Sequence, residues 1–269
     1  MAADETLHYK NQSIFHAIGF ILVVGVKLLT LEQPINGIRT SDISNRYAHL
    51  LLPAPVALTI IRSILYLALA AFVIYQLWLA FWGNHLQELT RLMTHMRHWW
   101  LISCVANAGW YFAWHYELMP FAFLLQLLLL VSLIAIHYNF AIGHAVVSRR
   151  EKWLLQIPFS IYLGWVSFSS LVNLETLMVY WGWNGQVIGM VTWTVLMVGL
   201  CAGFAAYMIL QHYNITYGLV IIWAFISIII QRVISDGLPV PALTTACYIA
   251  IVLVAGTIGW HIYKRKSEI

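Results

Sequence analysis

Charge is what this sequence has least of. Only 9% of its 269 residues are Asp, Glu, Lys or Arg, against about 25% in soluble domains. So little charge cannot cover a water-facing surface. With 62% hydrophobic residues and a mean hydropathy of +0.80, the chain reads as an integral membrane protein. Cysteine is scarce too. Cys104, Cys201 and Cys247 each sit in an apolar run without CxxC or other metal spacing, so they read as small buried residues and imply no disulfide framework. HExxH and paired-Asp patterns are missing. An intramembrane enzyme would have to draw on Glu117 and Glu175, so no catalytic residue and no metal site is assigned. No internal repeat is visible, which weighs against a repeat-built transporter.

What the chain does have is long apolar runs. Eight candidate spans can be counted, at 13–31, 56–82, 98–116, 120–144, 153–179, 187–209, 214–233 and 242–263, separated by turn or charge signals. None alternates as a barrel strand would, so all are expected to be helices. The first run is longer than the core of a signal peptide and contains Lys27, so it reads as a retained span.

Eight spans put both termini on one side. That side would carry nine basic residues: Lys10, Arg91, Arg97, Arg149, Arg150, Lys152, Lys264, Arg265 and Lys266. The other would carry three: Arg39, Arg46 and Arg232. The asymmetry predicts cytoplasmic termini, and it makes the basic residues membrane anchors rather than nucleic-acid contacts. Trp99, Trp100 and Trp153, at span starts, are expected at the membrane interface. Gly199 with Gly203 and Ser160 with Gly164 form small-xxx-small pairs expected at close helix crossings.

Two spans carry a polar and aromatic face. Asn107, Trp110, Tyr111 and Trp114 recur at helical spacing on the third, and Trp165, Ser169 and Asn173 on the fifth. An amide in lipid needs a partner, so both asparagines should face inward. Interhelical packing and a tryptophan-lined pocket for a flat apolar ligand both fit this pattern. Lys27 and Arg62 are costly inside a membrane, at roughly 3 kcal/mol each. With Glu117 and Glu175 they are expected to form an outer ionic cluster. His137 and His144, two turns apart, are conceivable haem ligands but read more simply as polar histidines.

The motifs N-x-x-W (Asn107 to Trp110), "YLGWVSFSSLVNL" (162–174) and "LPAP" (52–55) followed by "ILYLAL" stand in an order that resembles the tryptophan-rich sensory protein and translocator protein family, TspO/MBR. With "PINGIRTSDIS", "WHYELMP", "WGWNG" and "YGLVIIWAF" the chain is most similar to a longer, multi-span branch of it. The resemblance implies an all-α membrane protein with a TspO-like five-helix bundle at 1–180 and three further helices at 181–269. It implies a receptor or carrier that binds a tetrapyrrole or sterol-like ligand, with Asn107, Trp110, Trp165, Ser169 and Asn173 around the ligand, and helical spacing adds Trp114 to that face. Porphyrin or haem would enter as ligand, not as a resident cofactor. Membrane lipid and a hydrophobic small molecule are the expected partners, nucleic acid is not, and a homodimer is compatible. A bacterial plasma membrane is the expected location. A multi-span transporter or channel is the alternative. One departure from the family pattern is the start of the second span, "VALTIIRSILY", which has Arg62 and no tryptophan before Trp78.

Overall fold

The computed structural model describes residues 2–32, 35–47, 49–82, 85–235 and 240–267, and among them every regular element is helical. The helices are α1 (Ala2–Glu32), α2 (Thr40–Arg46), α3 (Pro55–Phe81), α4 (Leu86–Met96), α5 (Trp99–His115), α6 (Met119–Asn139), α7 (Arg149–Tyr180), α8 (Met190–His212), α9 (Ile215–Ile229) and α10 (Pro241–Ser267). A π turn occupies Lys152–Gln156 inside α7, and another, Ile230–Ser235, ends α9.

Eight of these correspond to the eight expected spans. Seven are long and apolar enough to cross a membrane by length and composition. The eighth, α5, has 17 residues, about 26 Å of rise against a hydrocarbon core of ~30 Å. Polarity is inverted relative to a soluble protein. Leu67, Ile74 and Val252 are about seven-tenths exposed, whereas Ser13, Gln76 and Glu175 are buried. Outward apolar and inward polar side chains suit a helix surrounded by lipid.

Local sequence explains where helices start and stop. Ser148 begins an S-x-x-E stretch, and its Oγ accepts the Glu151 N–H at 3.2 Å to cap α7. Asn214 caps α9 in the same way through Tyr217 N–H. Pro55 and Pro241 open α3 and α10, where a missing N–H costs nothing. The ends of α5, α6 and α7 share a crossed pair of hydrogen bonds around a left-handed residue: Glu117 (φ 54°), Ala141 (φ 44°) and Gly182 (φ 80°). Only the third is the glycine such a cap favours. His144 lies in the turn after α6, so it does not share a helical face with His137.

The chain forms two compact units, 1–43 with 64–159 and 44–63 with 160–269. In the first, α5 packs on α1 and α6. Gly109 permits the α5–α6 approach, since a Cβ there would meet Leu125 Cδ1 at 3.3 Å. Its core is an edge-to-face triangle of Phe72, Trp100 and Phe159 with ring centroids 4.9–5.7 Å apart. Trp100 is therefore a core residue rather than an interfacial one. Its indole N–H donates to His16 O at 3.0 Å, which is why a tryptophan can be fully buried there.

In the second unit α8, α9 and α10 pack on one another. Gly164 lies against α9, where an added Cβ would come within 3.1 Å of Val220 Cβ, so the Ser160–Gly164 pair does mark a close crossing. Gly199 and Gly203 do not: both are exposed, with nothing within 4 Å of an added Cβ. The GxxxG expectation fails because the pair faces away from the unit's own helices. All three cysteines are free and buried, as expected of small apolar residues.

Candidate functional site

The aromatic face of α5 belongs to the first unit. Trp110 stacks on Trp114 with centroids 5.0 Å apart and planes at 27°. Tyr111 meets Trp110 edge-on at 5.2 Å, and its hydroxyl lies 3.2 Å from that of Tyr66. Lys27 Nζ sits 5.6 Å from the Tyr111 ring, a cation–π arrangement that keeps its charge beside this cluster. Trp114 is 5% exposed, and its Nε1–H has no acceptor among the described residues. A buried indole N–H left open is uncommon. Asn107 is half-buried on the same helix. Glu117 caps the helix end in its left-handed conformation.

The corresponding face of α7 belongs to the second unit. Trp165 is buried and tilts against Phe168 at 5.9 Å. Asn173 donates its Nδ2–H to Ser169 O at 2.8 Å, and Ser169 Oγ donates to Val166 O at 3.2 Å. Some of the polarity of this stretch is thus absorbed within its own helix. Arg62 is half-buried on α3.

Glu175 anchors a network with no counterpart in the sequence motifs. Its side chain is 1% exposed. One oxygen faces His49 Nδ1 at 2.6 Å and accepts the Leu51 N–H at 3.0 Å. The other accepts from Thr194 Oγ1 at 2.6 Å. His49 Nε2 lies 3.1 Å from Thr176 Oγ1, whose own hydrogen can go to Val172 O at 2.9 Å. A proton on His49 Nδ1 is donated to the Glu175 carboxylate, and Nε2 stays within hydrogen-bond reach of the Thr176 hydroxyl. Arg232 adds Nη2 contacts to His49 O at 3.0 Å and Leu52 O at 3.3 Å. The backbone of Ala54 donates to Ser227 O at 3.1 Å. The segment 49–54 is thereby bonded to α7 and α9 and, through Glu175, linked to α8.

Sequence reasoning singled out Glu175 but missed His49, Thr176, Thr194 and Arg232 as its surroundings. His49 is 126 residues from Glu175 in the chain. The only available hint was a histidine directly before the apolar "LLLPAP".

The other end of the same inter-span segment is held in the first unit. His115 is fully buried at the end of α5. Its Nδ1–H donates to Ile38 O at 2.9 Å and Ile35 O at 3.2 Å, and Nε2 lies 3.0 Å from Thr40 Oγ1. Two carbonyl partners require the proton on Nδ1.

No curated protein and no solved structure matches the chain. A family model described as TSPO-like protein matches residues 13–260, nearly the whole length. With its helices and its inverted polarity, this chain is an all-α integral membrane protein that belongs to the TSPO-like family.

Proposed function

We propose that this TSPO-like membrane protein is a receptor or carrier for a flat hydrophobic ligand of the tetrapyrrole or sterol type, with the stacked indoles of α5 as its platform. The observation that carries the reading is Trp114. Its indole is buried and stacked on Trp110, yet its N–H has no acceptor among the described residues. An apolar ligand bearing one acceptor would cover the rings and take that hydrogen. Lys27, 5.6 Å from Tyr111, would favour a ligand with an anionic edge. Asn107, and separately Trp165, Ser169 and Asn173, are proposed to contribute on the strength of the family motif. The location proposed with this reading is a bacterial plasma membrane with both termini in the cytoplasm.

Titration of the purified protein with a porphyrin tests it. Saturable quenching of tryptophan emission is expected, with weaker affinity in Trp110→Phe. Quenching that rises without saturating, as partition into detergent would give, would refute the proposal.

A further inference from the structure

A cavity apart from the tryptophan face lies in the first unit where α3, α4 and the start of α7 meet. We propose that it is a site for a zwitterionic phosphoethanolamine head, as carried by a phospholipid of the surrounding membrane.

The cavity measures about 170 Å³ and is lined by Tyr75, Glu88, Arg91, Phe140, Ser148 and Glu151 among others. Drug-sized ligands occupy roughly 300–1,000 Å³, so this space takes a head group and not a macrocycle. Its lining carries both signs. Arg91 Nη2 donates to Glu151 Oε1 at 2.9 Å. A guanidinium has five N–H donors, so others are left for a phosphate. Glu88 is 60% exposed, and its approach to His85 is a loose 3.5 Å.

Tyr75 is the most telling residue. It is 8% exposed, stacks on Trp78 and lines the cavity, so a ligand there meets its ring edge and hydroxyl rather than bulk water. The charges acting on it are Glu88, Glu151, Arg150 and Arg91. Two carboxylates against one guanidinium in the lining disfavour a bare anion. A primary ammonium placed by Glu88 and the Tyr75 hydroxyl, with its phosphate toward Arg91 and Ser148, matches every polar wall.

Position selects a lipid as the source. Tyr75 is near the end of α3, and Ser148 immediately precedes α7, so the cavity lies at the level where spans leave the membrane. Trp82 and Trp153, 64% and 60% exposed, flank these ends as interfacial tryptophans do. Leu92, Val147 and Leu155 complete the lining as its apolar part.

The test is native mass spectrometry of the full chain in detergent, offered equal amounts of phosphatidylethanolamine, phosphatidylcholine and phosphatidylglycerol. Phosphatidylethanolamine should be retained about tenfold over the other two, since choline cannot donate hydrogen bonds and glycerol carries no cation. Tyr75→Phe, Glu88→Gln and Arg91→Gln should each reduce its retention about fivefold or more. Retention of the lipid against a large excess of glycerophosphoethanolamine assigns the site to the lipid, and displacement assigns it to the free head. Equal retention of the three lipids by the wild type overturns the proposal. So does unchanged retention in Glu88→Gln, whose exposed side chain makes it safe for folding even if Tyr75→Phe is not.

Discussion

Removing the Glu175 carboxylate should be among the most damaging single changes in the second unit. Glu175→Ala leaves three donors behind: the His49 ring, the Leu51 N–H and the Thr194 hydroxyl, at 2.6, 3.0 and 2.6 Å. Both partners of the His49–Glu175 pair are 1% exposed, so water cannot replace the lost acceptor. Breaking a buried pair by removing one member costs about 3–5 kcal/mol. At about 2–4 °C per kcal/mol that is a fall of roughly 6–20 °C in apparent melting temperature in detergent. Glu175→Gln should behave differently. Its amide oxygen can still accept from Leu51 and from a neutral His49. Its NH₂ can donate to Thr194, whose own hydrogen then goes to Met190 O at 2.8 Å. The expected loss is about 1 kcal/mol. The double variant His49→Ala/Glu175→Ala should lose less than the two single losses added, by about 1–3 kcal/mol. Strict additivity, or a Glu175→Ala protein that melts with the wild type, would refute the network as the tie between segment 49–54 and the helices.

Three further outcomes follow from separate features. Ala141→Gly should raise stability by about 1 kcal/mol in the same melting assay, because Ala141 holds φ 44° at a helix end where a β-carbon is strained. His115→Ala should speed proteolytic cleavage within 35–40 severalfold while the spans stay intact, because that turn loses two carbonyl contacts and the Thr40 hydroxyl bond. Single cysteines at Arg149 and Lys264 should react with an impermeant thiol reagent only from the cytoplasm, and one at Asn45 only from outside; labelling of Arg149 and Asn45 from the same side would contradict the charge-based topology.

The spans were legible because apolar run length is a property of contiguous residues. Even the short α5 showed itself, through the turn signals on either side. Of the three left-handed helix caps, only Gly182 carries the glycine that marks such a turn, and nothing in the side chains of Glu117 and Ala141 announces a left-handed backbone. Pairwise packing was the harder inference. Gly164 and Gly199 sit in equally plausible small-residue motifs, yet only the first meets a neighbouring helix. Trp100 looked interfacial by position and is buried, since its N–H finds a backbone carbonyl that the sequence does not advertise. The polar cluster around Glu175 was invisible as a cluster. Its members come from a loop, α7, α8 and the π turn after α9, and no spacing rule connects them. The α5 face, by contrast, lies on one helix, so its register could be read directly from the positions of Asn107, Trp110 and Trp114.

The central claim is that the α5 indoles form a ligand platform rather than packing alone. The most direct measurement is the Soret-band shift of a porphyrin titrated with wild type, Trp110→Ala and Trp114→Phe. Trp114→Phe keeps an aromatic ring but removes an N–H that has no acceptor among the described residues, and Trp110→Ala removes the stacking surface. A saturable shift that weakens about tenfold in Trp110→Ala and about threefold or more in Trp114→Phe, both with wild-type melting, is the predicted result. Equal affinities in all three proteins, or no saturable shift in the wild type, would contradict it.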